Sequence, residues 1–204
     1  LLMSIPPSLV RQFELCKQQL IIASTKWQLF EQLFAKTENR SKFLKRTGSG
    51  FFGLVRDSLV SDVMISVGRL LDKASQGSNE NLSLNRIICI LSELNTGGDL
   101  DELLATLNIH LDDAIEAECA ARAHRNKRLA HSDLKSLLNP DSHGLPPVTL
   151  SDIRKILSET ASFLNAIEHK YLDKRTVYGY TMIIGDANDV VKLIRDGMIY
   201  REQR

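Results

Sequence analysis

Between Leu9 and Phe34 the apolar residues fall at Leu9, Phe13, Cys16, Leu20, Ala23, Trp27, Phe30 and Phe34. The steps alternate between four and three, which keeps every one of them on a single stripe of a 3.6-residue helix for about seven turns. A strand, whose side chains alternate faces at every residue, cannot produce this pattern. The stripe therefore constrains the fold before anything else does. It predicts a long helix with one buried seam, and such a seam must be covered by other helices. Pro6-Pro7-Ser8 marks the start of this helix, and its expected end is the basic polar stretch Lys36 to Arg46 with the turn Gly48-Ser49-Gly50.

The rest of the chain repeats the theme. A second helix is expected with Phe52, Val55, Leu59, Val63, Val67 and Leu70 on one side, and Leu54, Met64 and Leu71 giving it a second apolar row. It should stop near Ala74. A shorter third helix runs from about Asn81 to Leu94, closed by Thr96-Gly97-Gly98. A fourth extends from Asp99 to about His131, with a candidate break near Asn108. Its acids (Asp99, Asp101, Glu102, Asp112, Asp113, Glu116, Glu118) precede its bases (Arg122, Arg125, Lys127, Arg128), an order that complements a helix dipole. Three prolines and a glycine between Asn139 and Pro147 make a loop. A fifth helix, Thr149 to about Tyr171, is capped by Thr149 or Ser151. Beyond it Thr176–Ile184 reads as extended and β-prone, and Asp186 caps a short helix ending at Gly197. The expected fold is all-α: an up-and-down antiparallel bundle of four to five main helices over residues 1–172, with a C-terminal extension over 173–204.

Composition narrows the function by exclusion. Lys+Arg of 26 against Asp+Glu of 25 leaves a formal charge of +1, so global charge predicts no partner. No apolar run approaches a membrane span, and the N-terminus lacks the pattern of a secretory signal. Cys16, Cys89 and Cys119 are far apart and odd in number, fitting reduced, buried thiols in a cytoplasmic protein. There is no CxxC, HExxH or Gly-rich phosphate loop, so neither a metal nor a nucleotide cofactor is expected.

Chemistry concentrates in Arg125-Asn126-Lys127-Arg128-Leu129-Ala130-His131. A planar, permanently charged guanidinium can hold a phosphate, and an imidazole can move a proton near neutral pH. An Arg and a His six apart also occur by chance, and the bland reading is a solvated basic face ending at a histidine. The arrangement resembles the R-x(4–6)-H signature of HEPN domains, in which a polar residue commonly follows the arginine. The segment from Leu59 to Lys73, with Asn81-Leu82-Ser83-Leu84 after it, is similar to the corresponding helix and turn of the abortive-infection branch of that superfamily. In that branch Arg-Asn-Lys-x-x-Ala-His is often followed by Ser-Asp, and Ser132-Asp133 follow here. The likeness extends over roughly residues 50 to 170.

That resemblance implies a helical bundle acting as an endoribonuclease in phage defence or as a toxin. RNA carries its own nucleophile, the 2′-hydroxyl. His131 would transfer protons, Arg125 would stabilise the charged transition state, and Asn126 would orient the histidine or a phosphate oxygen. Products would be a 2′,3′-cyclic phosphate and a 5′-hydroxyl, with no metal. Arg128, Lys127 and Arg122 are candidates for phosphate binding, and Asp62, Arg69 and His124 for support. RNA is the expected partner, tRNA or mRNA included, together with a second copy of the chain and an antitoxin protein. HEPN toxins paired with a nucleotidyltransferase often carry a tyrosine two residues after the histidine; Asp133 stands there instead, which puts that route of neutralisation in doubt.

Geometry adds a condition. Six residues on a regular helix turn through about 600°, leaving Arg125 and His131 some 120° apart. His124, Arg128 and His131 share a face better. HEPN relatives solve this with a two-fold dimer that places both motifs in one cleft, and a homodimer is expected here. His124 and His131 stand two turns apart, roughly 10 Å, too far to ligate one metal. The other residues have plain alternatives. Asp62 can pair with Arg69, with the motif arginine, or in a simple buried ion pair. Tyr178 and Tyr180 can stack on bases or pack the tail. The stretch Lys36 to Arg46 can follow an RNA backbone or be a solvated loop. Two rival readings remain: a HEPN module that binds RNA or nucleotide without cutting, and a helical scaffold associating through the Leu9–Phe34 stripe.

Overall fold

The structure, a computed structural model, describes residues 4–94, 98–125 and 146–203. Among them are six α-helices and almost no strand, so the chain is an all-α helical bundle. Helix α1 spans Pro7–Phe30 with proline in its first turn, where a missing N–H costs nothing. Its seam is the core of the bundle. Leu9, Phe13, Cys16, Leu20 and Ala23 are wholly buried, and Trp27 stacks on Phe30 with ring centroids 4.7 Å apart. The stripe then enters a π-helical turn, Glu31–Ala35. The extra residue in that turn shifts the register, so Leu33 joins a second apolar cluster while Phe34 is only partly covered.

The basic stretch after α1 is not a loop. Helix α2 runs Glu38–Leu70, capped by the Thr37 hydroxyl, which accepts from the Arg40 N–H at 3.2 Å. Gly48 leaves helical geometry and kinks it without ending it. The polar stretch is helical because Thr37 caps it, Lys42 pairs with Glu38 one turn back, and Leu44 is buried in the second cluster. Its helical pattern rests on few apolar residues, too few to read as periodic. The C-terminus of α2 comes four residues before Ala74. A two-residue hairpin follows, β1 (Ser75–Gln76) with antiparallel β2 (Asn79–Glu80), turning at Gly77 with φ of 62°. That left-handed conformation suits glycine.

Helix α3 (Leu84–Glu93) is capped by Ser83. Helix α4 (Gly98–His124) passes Asn108 unbroken; the Asn108 amide donates back to the Leu104 carbonyl at 2.8 Å and so does not compete for the chain ahead. Helix α5 (Leu150–Leu172) starts with a reciprocal capping box between Thr149 and Asp152, settling the choice between Thr149 and Ser151. Helices α4 and α5 form the most extensive interhelical contact, followed by α1 with α2.

The segment 173–186 between α5 and the last helix pairs with no strand. It lies on α1 through side-chain amides. Gln28 donates to the Thr181 carbonyl at 3.0 Å and accepts from its N–H at 2.9 Å, and Gln32 accepts from the Ala187 N–H at 3.2 Å. Gln28 thus satisfies both backbone groups of Thr181, which a sheet would otherwise take, and Gln32 meets a free N–H at the start of the last helix. Tyr178 is buried in the main core, whereas Tyr180 is exposed. Helix α6 (Ala187–Glu202) is capped by Asp186 and continues past Gly197 for another turn. Ala187 and Val191 fasten it to Leu33, Leu44 and Phe52. Of the three cysteines only Cys16 is buried; Cys119 is exposed.

Candidate functional site

Of the motif residues, Arg125 is described and Asn126, Lys127, Arg128 and His131 lie outside the described residues, as does His143. Arg125 directly follows α4, and its side chain is only 13% exposed. Among the described residues three groups stand against it. Its Nη2 donates to Asp72 Oδ1 at 2.9 Å, and its Nη1 lies 3.6 Å from Glu118 Oε1. Its shaft and guanidinium lie flat against Gly68 of α2, so close that a β-carbon there would sit 2.8 Å from Cζ and 2.9 Å from Cδ. Glycine at 68 is the notch into which the motif arginine fits.

Glu118 is the second anchor. Its side chain is 1% exposed, and its Oε2 accepts from Arg122 Nε one turn later at 2.7 Å, with Arg122 Nη2 2.6 Å from the same oxygen. Burial pushes the Glu118 carboxyl above the ordinary carboxylate range. The Arg122 hydrogen bond and the charges of Arg122 and Arg125 pull it down, and the neighbouring Asp72 charge adds to the rise. The end of α4 is therefore a four-membered ionic cluster, Asp72–Arg125–Glu118–Arg122, with two charges of each sign. Removing one member of a buried pair strands the other, at a cost of about 3–5 kcal/mol.

The supporting residues distribute differently from expectation. Asp62 pairs with neither Arg69 nor Arg125. It forms an ion pair with Lys26 of α1 and is 48% exposed, so the pair is not buried either. Ten residues separate Asp62 from Asp72, about 15 Å along a helix, and only Asp72 reaches the end of α4. Arg69 is exposed and lines a cleft of about 400 Å³ with Asp72 and Glu80. Arg122 is committed to Glu118. His124 donates through Nε2 to the Pro146 carbonyl at 2.8 Å, tying the end of α4 to the start of the strand-free approach to α5. Its ring lines a separate cleft of about 490 Å³. Elsewhere, His110 bonds Glu159 at 2.8 Å, and His169 lies 3.8 Å from Asp173.

Asp72 and Gly68 were not singled out from sequence. Asp72 is 53 positions from Arg125, and no local pattern links them. Glu118 carried a usable signal: Glu118, Arg122 and Arg125 fall at i, i+4 and i+7, one face of a helix.

Among the described residues no group of three or more His, Cys, Asp or Glu side chains is placed to hold a metal ion, and no helix is long and apolar enough to cross a membrane. Comparison with curated proteins and with solved structures gives no match. Comparison with family models does: residues 7–193 match HEPN_AbiU2, described as AbiU2. The match spans the bundle, the Gly68 notch and the whole Arg125–His131 motif. The chain belongs to the HEPN_AbiU2 family and is a HEPN domain of the abortive-infection type.

Proposed function

We propose that this HEPN domain is a metal-independent endoribonuclease acting in phage defence or as a toxin. The observation that carries the reading is the placement of Arg125. The first residue of the motif is locked at the end of α4 by Asp72, Glu118 and the Gly68 notch. An arginine held in this way is a preorganised charge, and preorganisation of this kind is what a charged transition state rewards.

In the proposed reaction His131 removes the 2′-hydroxyl proton. The freed oxygen attacks the adjacent phosphorus, the bond from phosphorus to the 5′-oxygen breaks, and that oxygen takes a proton. A second copy's His131 is the natural donor, which gives the homodimer a chemical reason: one histidine accepts as the other delivers. Asn126 orients and Arg128 and Lys127 hold flanking phosphates. Arg125 contributes charge and position together, because a guanidinium offers five donors and a carboxylate uses two at most.

One observation favours the second reading, a module that binds RNA or nucleotide without cutting it. Asp72 and Glu118 both engage Arg125, which leaves less of its charge for a transition state, whereas binding alone can draw on Lys127 and Arg128 next in the chain. His131→Ala separates the two readings. If the domain is a nuclease, this variant loses cleavage and keeps its affinity for RNA. Wild-type dimer that binds RNA but leaves it whole makes the binding module the correct reading.

A further inference from the structure

The end of α2 presents two different faces. Gly68 receives Arg125. Ser66, two residues earlier and so about 200° round the helix, faces a separate cleft together with Arg69. This cleft measures about 400 Å³ and is lined by Gln19, Ser66, Arg69, Asp72, Glu80 and Asn81 among others, a volume within the ~300–1,000 Å³ typical of ligand sites. Its walls are fastened. Arg86 Nη2 meets Glu80 Oε1 at 2.8 Å, the Asn81 N–H donates to the Ala74 carbonyl at 2.9 Å, and the Asn81 amide donates to the Lys73 carbonyl at 2.9 Å. Asp72 belongs to both faces: it lines the cleft, and its Oδ1 accepts from Arg125 at 2.9 Å. The cleft is therefore joined to the motif arginine through a single carboxylate.

The polar groups of the cleft are unequally used. Asp72 answers Arg125 and Glu80 answers Arg86, both from outside it. The two carboxylates remain 37% and 68% exposed, so each still offers oxygen to the cleft. Arg69 stands beside both and pairs with neither; its side chain, like those of Gln19 and Ser66, makes no hydrogen bond or ion pair among the described residues. A phosphate attracted by Arg69 would meet two carboxylates. A cation attracted by the carboxylates would meet Arg69, and no metal-holding group is present among the described residues. The complementary ligand is neutral, with paired acceptors on one edge and paired donors on another. Among the four RNA bases guanine fits this description. Its O6 and N7 take a bidentate arginine, and its N1–H and N2–H donate side by side to a carboxylate. Adenine and cytosine each offer a single amino group, and uracil a single N3–H. The partly buried Leu82 adds an apolar wall for the ring.

We propose that the cleft between α1, the end of α2 and the β-hairpin reads a guanine base of an RNA strand. Arg69 takes O6 and N7, Asp72 and Glu80 accept from N1–H and N2–H, and Gln19 and Ser66 complete the edge. Because Asp72 also holds Arg125, a base seated there lies next to the motif and makes the site selective. The proposal deepens the ribonuclease reading, on which its place in a reaction rests, but base preference in binding can be measured whether or not RNA is cut.

The test is fluorescence anisotropy with full-length His131→Ala protein and four labelled RNA pentamers, UUGUU, UUAUU, UUCUU and UUUUU. UUGUU should bind about tenfold more tightly than the other three, the discrimination expected of one good bidentate contact. Arg69 is the residue to change, since it is exposed and unpaired whereas Asp72 also seats Arg125. Arg69→Lys keeps the charge and loses the two-pronged geometry, so it should erase the preference, and Arg69→Ala should do the same. Circular dichroism melts matching the parent protein show that neither change acts through folding. Four equal affinities in the parent protein, or a guanine preference that survives both Arg69 variants, overturn the proposal. So does free guanosine monophosphate competing as tightly as UUGUU binds, because the cleft would then be a nucleotide site and not a reader of RNA. A preference for UUGUU in a protein whose wild type leaves RNA whole would sink the nuclease reading and leave the cleft's assignment standing. Cleavage by wild type without regard to guanine, with four equal affinities, would do the reverse.

Discussion

Gly68→Ala is the most revealing single change in this molecule, because two opposing effects can be sized. Inside an ordinary helix, alanine for glycine stabilises by about 0.5–1 kcal/mol. At Gly68 the new methyl would lie 2.8 Å from Cζ and 2.9 Å from Cδ of Arg125, and nearer still to Nη1. Carbon atoms settle at about 3.5–4.0 Å, so the guanidinium has to retreat by about 1 Å. Its 2.9 Å bond to Asp72 does not survive that displacement, and a hydrogen bond to a charged group is worth about 1.5–3 kcal/mol. The loss wins. Net destabilisation should be about 1–2 kcal/mol, which for a chain of this size lowers Tm by roughly 2–8 °C. Gly53→Ala is the internal control, on the same helix with nothing within 4 Å of the added carbon, and it should raise Tm. Thermal unfolding followed by circular dichroism reads both. RNA cleavage by Gly68→Ala should fall as far as it does for Arg125→Ala. If Gly68→Ala behaves like Gly53→Ala, more stable and equally active, Arg125 is not seated as described and the notch has no role.

Three further predictions follow from the buried charges and thiols. Glu118 has its carboxyl raised by burial, so the folded state holds its proton more tightly than the unfolded state. Its effect is to lower stability as pH rises through the window starting at the ordinary value of 4.5; Glu118→Gln should flatten that part of the urea-unfolding pH profile, and an unchanged profile would show that Glu118 is not the titrating group. Glu168 is wholly buried and its Oε1 receives Lys17 Nζ at 2.6 Å; Lys17→Met strands that charge and should cost about 3–5 kcal/mol, whereas a Tm within a degree or two of wild type would mean the pair contributes nothing. The Cys16 thiol is pushed up to about 12 by burial, so at pH 8 Ellman's reagent should modify Cys119 at once and Cys16 only after unfolding; rapid modification of Cys16 in the native protein would contradict its place in the core.

What could be read from the chain depended on how far apart the interacting residues lie. The Leu9–Phe30 seam is a local pattern, and every member of it is buried. The caps at Thr149 and Asp186 are local as well, each a side-chain oxygen accepting from an N–H two or three residues ahead. The α2 start escaped because Lys36 to Arg46 has too few apolar residues to show a period, and its helix depends on Leu44 meeting Val191 far along the chain. Thr176–Ile184 has strand composition but finds Gln28 rather than a neighbouring strand, a tertiary choice that propensity does not encode. In the site, the same division holds. Arg125 stood out by residue type; Glu118, on the same helix face at i−7, carried a spacing signal without being singled out, and Asp72 and Gly68 meet Arg125 only because α2 and α4 come together. Asp62 drew attention by sitting among apolar residues, and the rotation of α2 turns it towards Lys26 instead.

The central claim is that the motif carried at the end of α4 cuts RNA by internal transesterification without a metal. The most direct test is to incubate wild type, Arg125→Ala and His131→Ala with total RNA and with tRNA in EDTA, and to determine the chemistry of any new ends. The account predicts wild-type fragments with 2′,3′-cyclic phosphate and 5′-hydroxyl ends and intact RNA with both variants. Three equally inert proteins, or cleavage that persists in His131→Ala, would contradict it.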